Sequence, residues 1–290
     1  MTSRITQATT TTVALRGLQA NLGRTQALQE QLSSGKRIFR PSDDPASTSA
    51  LMQLRSSQMA DEQFQRNNQQ AKGRLTVTDS AVQSLSDRVR AVRELMVASN
   101  SGALSTDGRS ALGAQVDAIR SEVVGLYNTT YLDRPVFGGT VPGREAVDPT
   151  TGAYVGNNAP IEARISTDAV LRIDVKGTDV AADTLPAALS AVSANIVTTG
   201  ATPTDFTAID TALSALQRAI GDVGARTERL DTTSALVESH RLDLVSRISE
   251  NEDVDLPETI MNLQAQQVGY QAALGAAAKV MQHSLIDFLR

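Results

Sequence analysis

Across residues 209–248 the sequence places its larger apolar residues at alternating steps of four and three: Ile209, Leu213, Leu216, Ile220, Val223, Thr227, Leu230, Ser234, Val237, Arg241, Leu244 and Ile248, with Thr227, Ser234 and Arg241 as polar interruptions. A heptad repeat kept this long specifies a coiled-coil helix. A helix over residues 205–250 is about 69 Å long at 1.5 Å per residue. Helices beyond about 25 residues belong to coiled coils and rods rather than to compact globules. Such a helix cannot bury its own stripe, so the chain must supply long partners for it.

Both ends of the chain carry similar stripes. A second helix starts at Asp255, where Asp255 and Glu258 fit a capping box and Pro257 suits a first turn. It continues through Ile260, Leu263, Gln267, Tyr270, Leu274, Ala277, Met281, Ser284 and Phe288. Its many small residues, Ala272, Ala273, Gly275 and Ala276 among them, admit a close neighbour but give little apolar area for standing alone. At the other end, Val13, Leu15, Leu18, Leu22, Thr25, Leu28 and Leu32 form a stripe that Gly35 terminates as a C′ residue. A loop of Arg40, Pro41, Ser42, Asp43, Asp44 and Pro45 follows, with Asp44 placed to cap the next helix. That helix is predicted over residues 46–99; Leu75, Thr78, Val82, Leu85, Val89, Val92 and Met96 mark its later part, whereas its earlier part is polar, with Gln63, Gln65, Asn67, Asn68, Gln69 and Gln70. Another helix covers 106–128.

The middle of the chain differs. Residues 161–165 and 171–175 alternate apolar and polar around a turn at Thr167 and Asp168, which reads as a β-hairpin. A short Ala-rich helix over 185–197 leads back to helical sequence. The expected fold is mainly α, a long antiparallel coiled-coil-like helical bundle with a small β-rich inserted domain. Its expected parts are a terminal helical domain of residues 1–42 with 252–290, a bundle of 43–130 with 183–251, and an outer insert of 131–182. The simplest packing folds the chain back on itself, terminal helices together and insert at the far end.

Composition narrows the function. The chain of 290 residues has a net charge of −5, which disfavours binding nucleic acid through its phosphates. It has no cysteine and only two histidines, His240 and His283, so thiolate chemistry is excluded and a histidine metal site is not expected. No Trp and 3% aromatic residues leave the core to aliphatic side chains, which suits long helices side by side. Asp43, Asp44, Asp253 and Asp255 read as helix caps rather than as paired acids or calcium ligands. Arg88, Arg90 and Arg93, interleaved with Val89 and Val92, read as a solvated helix face. Phe137, Gly138, Gly139 and Thr140 lack the following Lys and hydroxyl residue of a phosphate loop. No catalytic, cofactor-binding or metal-binding residues are expected. The uncharged residues 259–278 contain Asn262, Gln264, Gln266, Gln267 and Gln271, which hydrocarbon would penalise, so no membrane partner is expected. The Thr-rich start lacks the apolar core of a cleaved signal, so any export would need another route.

The functional information therefore lies in the terminal stripes. Terminal segments are seldom the most regularly patterned part of a monomer. The expected assembly interface is Leu15, Leu18, Leu22, Leu28 and Leu32 with Ile260, Leu263, Tyr270, Leu274, Met281, Leu285 and Phe288.

Leu32-Ser33-Ser34-Gly35-Lys36-Arg37-Ile38, then Arg40-Pro41-Ser42-Asp43-Asp44-Pro45-Ala46, resembles the N-terminal signature of the flagellin family. The Pro-Ser-Asp-Asp-Pro version is similar to that of its hook-associated members; flagellins more often carry Lys-Asp-Asp-Ala-Ala. The C-terminal segments 253–258, 266–274 and 285–290 also resemble that family's ending, and Phe137-Gly138-Gly139-Thr140 its motif before the outer domain. The resemblance implies a non-catalytic extracellular adapter that joins hook to filament as a ring, with no cofactor. It implies as partners further copies of the chain, a neighbouring hook-associated protein, flagellin, and a cytoplasmic type III export chaperone on the C-terminal helix. Export unfolded would account for the missing signal, and a chain without cysteine cannot be trapped by oxidation. A filament subunit and an unrelated secreted helical binding module are the alternatives, with an enzyme in the insert behind them.

Overall fold

A computed structural model of the chain describes the backbone of residues 7–100 and 104–288, and the side chains of residues 9, 12–100 and 104–279. The fold is mainly α. Among the described residues six α-helices, α1 (Gln7–Ser34), α2 (Pro45–Ser99), α3 (Thr106–Tyr127), α4 (Leu185–Thr198), α5 (Pro203–Glu252) and α6 (Leu256–Phe288), accompany four short strands. The strands are β1 (Thr130–Tyr131), β2 (Arg134–Pro135), β3 (Glu162–Arg164) and β4 (Val170–Arg172). The chain forms two compact units, residues 60–241 and residues 1–59 with 242–290.

Within residues 60–241, α5 buries every seventh residue, Ile209, Leu216, Val223, Leu230 and Val237, while Leu213, Ile220, Thr227 and Ser234 between them are half-buried. α2 answers with Phe64, Asn68, Ala71, Leu75, Thr78, Val82, Leu85, Val89, Val92 and Met96, again at steps of four and three. The polar run 63–70 thus contributes Phe64 and Asn68 to the same stripe as the clear heptads after it. Asn68 is tolerated there because its amide donates to Ile165 O at 3.3 Å. Cross-helix pairs show the antiparallel course of the two helices: Asp61 meets His240 at 2.6 Å, Gln65 meets Glu238, Lys72 meets Asp231 at 2.6 Å and Arg93 meets Asp210 at 2.7 Å. The exposed pairs contribute at most about 1 kcal/mol each, so the apolar stripe carries the stability. α3 and α4 pack at Gly113, where a Cβ would meet Val197 Cγ2 at 2.5 Å and Ser193 Oγ donates to Gly113 O at 3.1 Å.

The insert is fixed to the helices by buried polar groups. Tyr127, fully buried at the end of α3, donates its hydroxyl to Val180 O at 2.6 Å, and Phe137 meets its ring edge-on at 5.9 Å. Burial pushes the Tyr127 hydroxyl pKa well up, with Asp183 adding to the effect, so it stays a donor. Arg74 on α2 donates to Pro135 O and Val136 O, and Arg226 on α5 donates to Asp174 O at 2.5 Å. β1 and β2 form a hairpin whose turn residues, Leu132 and Asp133, both take positive φ (+50° and +61°) without a glycine. β3 and β4 pair antiparallel with Ala163 opposite Leu171. The predicted second strand, 171–175, is instead Val170–Arg172, because the fully buried Asp174 turns its carboxylate onto Ile161 N (2.8 Å) and Arg172 (2.9 and 2.7 Å) and ends the ladder.

Leu85→Ala should cost about 2–5 kcal/mol through the lost contacts and the cavity left in the stripe. Tyr127→Phe should cost about 1–3 kcal/mol because Val180 O loses its buried donor. Urea unfolding followed by circular dichroism reads both.

Candidate assembly interface

In the unit of residues 1–59 with 242–290, α1 packs on α6. Asn21 lies beside Gln266 and Gly35 beside Val254, so α6 runs antiparallel to α1. The facing residues form a heptad seam. On α1 they are Ala14, Leu18, Asn21, Thr25, Leu28 and Leu32; on α6 they are Thr259, Leu263, Gln266, Tyr270, Ala273 and Ala277. Gln266 Nε2 donates to Asn21 Oδ1 at 3.2 Å across this seam.

The stripes expected from the sequence divide into two faces. Leu18, Leu28, Leu32, Leu263 and Tyr270 lie on the seam, half-buried. Leu15, Leu22, Ile260 and Leu274 do not; they are 55%, 45%, 42% and 43% exposed. Helix α6 runs through Met281, Leu285 and Phe288, whose side chains lie outside the described residues. Sequence reasoning missed Asn21, Thr259 and Gln266 as seam positions, because it followed apolar residues onto the neighbouring row of the helix. Spacing alone could not decide between the rows: Leu263, Tyr270 and Ala277 extend by threes and fours equally to Thr259, Gln266 and Ala273 or to Ile260, Gln267 and Leu274, and the second set is the more apolar.

The loop between α1 and α2 is held by its acidic residues. Gly35, at φ +70°, ends α1 in the left-handed conformation. Asp44 caps α2 by accepting from Ser47 N at 3.1 Å and Ser47 Oγ at 2.5 Å, and Pro45 opens the helix. The same Ser47 bonds hold the Asp44 carboxyl below its usual pKa. Asp43 Oδ2 accepts from Phe39 N at 3.1 Å and Arg40 N at 2.8 Å, which fixes the path through Pro41 and Ser42. Asp255 caps α6 through Glu258 N at 3.1 Å, and Asp253 accepts from Ser249 Oγ at 2.5 Å. Arg88, Arg90 and Arg93 each face a carboxylate, Glu122, Asp87 and Asp210. Phe137 of the Phe-Gly-Gly-Thr motif is a core residue, and Gly139, at φ +66°, lies so close to Asn157 that a Cβ would meet its backbone oxygen at 2.2 Å. Among the described residues no three of His, Asp and Glu gather as a metal site requires.

Residues 35–37 pair with 252–254 at this corner: Arg37 N donates to Glu252 O at 2.7 Å, and Val254 N to Gly35 O at 3.0 Å. Glu252 is almost fully buried and meets Lys36 at 2.5 Å and Arg55 at 2.6 Å. Burial alone would raise its pKa; the two cations outweigh burial and hold it below the usual carboxylate range. A carboxylate depressed in the folded state stabilises above its unfolded pKa, and that stability is lost as pH falls through the folded value. Thermal unfolding of the wild type should therefore show an acid-side loss below about pH 4.5. Glu252→Gln should melt lower at neutral pH and show a shallower acid limb, as a melting-temperature series against pH would read.

Two family descriptions match the chain: the bacterial flagellin N-terminal helical region over residues 5–135, and the bacterial flagellin C-terminal helical region over residues 206–289. The chain is 23% identical to flagellar hook-associated protein 3 of Escherichia coli K12, covering 94% of this chain and 95% of that protein. It is 25% identical to the protein of the same name from Salmonella typhimurium, over 74% of this chain and 66% of that one. In fold it is similar to the crystal structure of FlgL from Xanthomonas campestris, with a TM-score of 0.58 and 17% identity over 66% of this chain and 98% of that one. The helical termini, their capped corner and the two matched regions together place the chain in the bacterial flagellin family.

Proposed function

We propose that this chain is a structural adapter of the bacterial flagellum that joins hook to filament as a ring of copies. The observation that carries the proposal is the second apolar row on each terminal helix. Leu15 and Leu22 on α1, and Ile260 and Leu274 on α6, stay exposed after the two helices have packed together. Leu18, Leu28, Leu32, Leu263 and Tyr270 hold the pair that presents them. We assign Met281, Leu285 and Phe288 to the same interface from their place in the sequence pattern. Burying a leucine or isoleucine side chain contributes about 1.5–3 kcal/mol, and every copy in a closed ring repeats the contact. The resemblance of nearly the whole chain to hook-associated protein 3 supports the junction as its site.

In this reading the neighbours are further copies, another hook-associated protein and flagellin. The protein works outside the cell, without catalysis or cofactor, and binds neither nucleic acid nor membrane. Before export, a cytoplasmic chaperone of the type III pathway covers the apolar row of α6, which would otherwise be exposed to water.

A strain lacking the gene tests the proposal. Bare hooks with abundant flagellin monomer in the medium are expected. Bare hooks without that flagellin would make the chain the filament subunit, and normal filaments would overturn both readings. Leu274→Asp, returned to that strain, should leave circular dichroism and melting unchanged while reproducing the bare hooks. Leu263→Asp should also loosen the helix pair itself.

A further inference from the structure

The α1–α2 loop has no part in the helix seam, yet it is held firmly in place. It builds one side of a groove of about 390 Å³. Ile38 and Leu51, both buried, form the floor, while Phe39 and Met52 stand at the rim, 62% and 64% exposed. Phe39 and Arg40 do not drift there: the Asp43 carboxylate accepts both of their backbone N–H groups. The Thr48 hydroxyl on the groove wall is sealed from water and has no hydrogen-bond partner. The lining is cationic. Lys36 and Arg55 share Glu252, and the Arg40 guanidinium pairs with Glu30 at 3.7 Å, both side chains exposed. An aromatic and a methionine held in water beside an exposed, loosely paired guanidinium form a receptor for an apolar segment that carries acid.

We propose that the occupant is the α5–α6 corner, residues 253–258, of a second copy. This segment has the complementary chemistry: Leu256 is 48% exposed between the exposed carboxylates of Asp255 and Glu258. Its position also fits. Val254 N donates to Gly35 O, and the backbones of Lys36 and Asp253 form an antiparallel β-bridge, so in each copy the segment lies along the chain that leads into the groove. Groove and segment therefore share one level. Copies ranged in a ring at that level present one copy's corner to the next copy's groove, a head-to-tail contact that closes. Leu256 then covers Phe39 and Met52, and Glu258 pairs with Arg40. The inference rests on the ring assembly proposed above.

Charge exchange tests it. Arg40→Glu and Glu258→Arg, each at an exposed position, should keep the helical circular dichroism of the wild type, with only the small loss in melting that a cation in the first turn of α6 brings, and each reduce filament-bearing cells by about tenfold or more; the double variant should recover to within about twofold of wild type. Met52→Cys combined with Leu256→Cys, in a chain with no other cysteine, should give copy-to-copy disulfides in isolated flagella under a mild added oxidant. Single variants that assemble normally, or a double variant no better than the worse single, would overturn the groove. So would cross-links formed only within one copy, or only to flagellin. If those results came while Leu274→Asp still blocked assembly, the groove would fall and the adapter reading would stand. Normal assembly of Leu274→Asp as well would bring down both.

Discussion

A helix with an apolar stripe 40 residues long must be covered by a partner of comparable length, and the return of α5 along α2 meets that need. The stripe on α5 buries a residue every seventh position from Ile209 to Val237, and α2 meets it from Phe64 to Met96. The rest of residues 60–241 hangs on this contact. Arg74 and Asn68 on α2 and Arg226 on α5 are among the side chains by which the two long helices hold backbone carbonyls of the insert, so the insert's small hairpins need little core of their own. Two-stranded hairpins are marginal alone, and the arginines and Tyr127 supply what they lack.

The terminal pair follows the same heptad rule with a different content. Its seam carries Asn21, Thr25, Thr259 and Gln266, whereas the longer α2 and α5 stripes are mostly apolar. A polar pair in a coiled-coil seam lowers stability and specifies register. Asn21 with Gln266 therefore fixes how α1 and α6 align while leaving the pair weakly held. The apolar residues that would have strengthened the seam, Leu15, Leu22, Ile260 and Leu274, sit one row away, on the open face. A sequence selected for a free-standing hairpin would place them inward. Placed outward, they leave the hairpin with apolar area unburied, which is what the proposed assembly would cover.

Much of this was legible in the sequence because helices announce themselves through period and caps. The C′ glycine at Gly35, the Asp44 and Asp255 caps, and the heptads of α5 each fall where periodicity and capping chemistry put them. Two features were not legible. Residues 63–70 hide a stripe because Asn68 occupies a buried position, and its partner, Ile165 O, comes from the insert nearly a hundred residues away. In the terminal helices, hydrophobicity alone could not separate the face a helix turns to its partner from the face it leaves open, since the seam used the more polar of two adjacent rows. The groove beside the loop was hidden for a related reason: Asp43 serves the backbone of Phe39 and Arg40, a local bond whose consequence is an exposed aromatic.

The central claim is that the outer row belongs to neighbouring copies and the seam to the molecule itself. Thiol labelling of single-cysteine variants, free and in isolated flagella, tests it most directly. Cysteine at Leu22 or Leu274 should label quickly in the free protein and be protected in the flagellum, while cysteine at Leu263 should label slowly in both. Equal labelling of Leu22→Cys and Leu274→Cys in the two states would contradict the account.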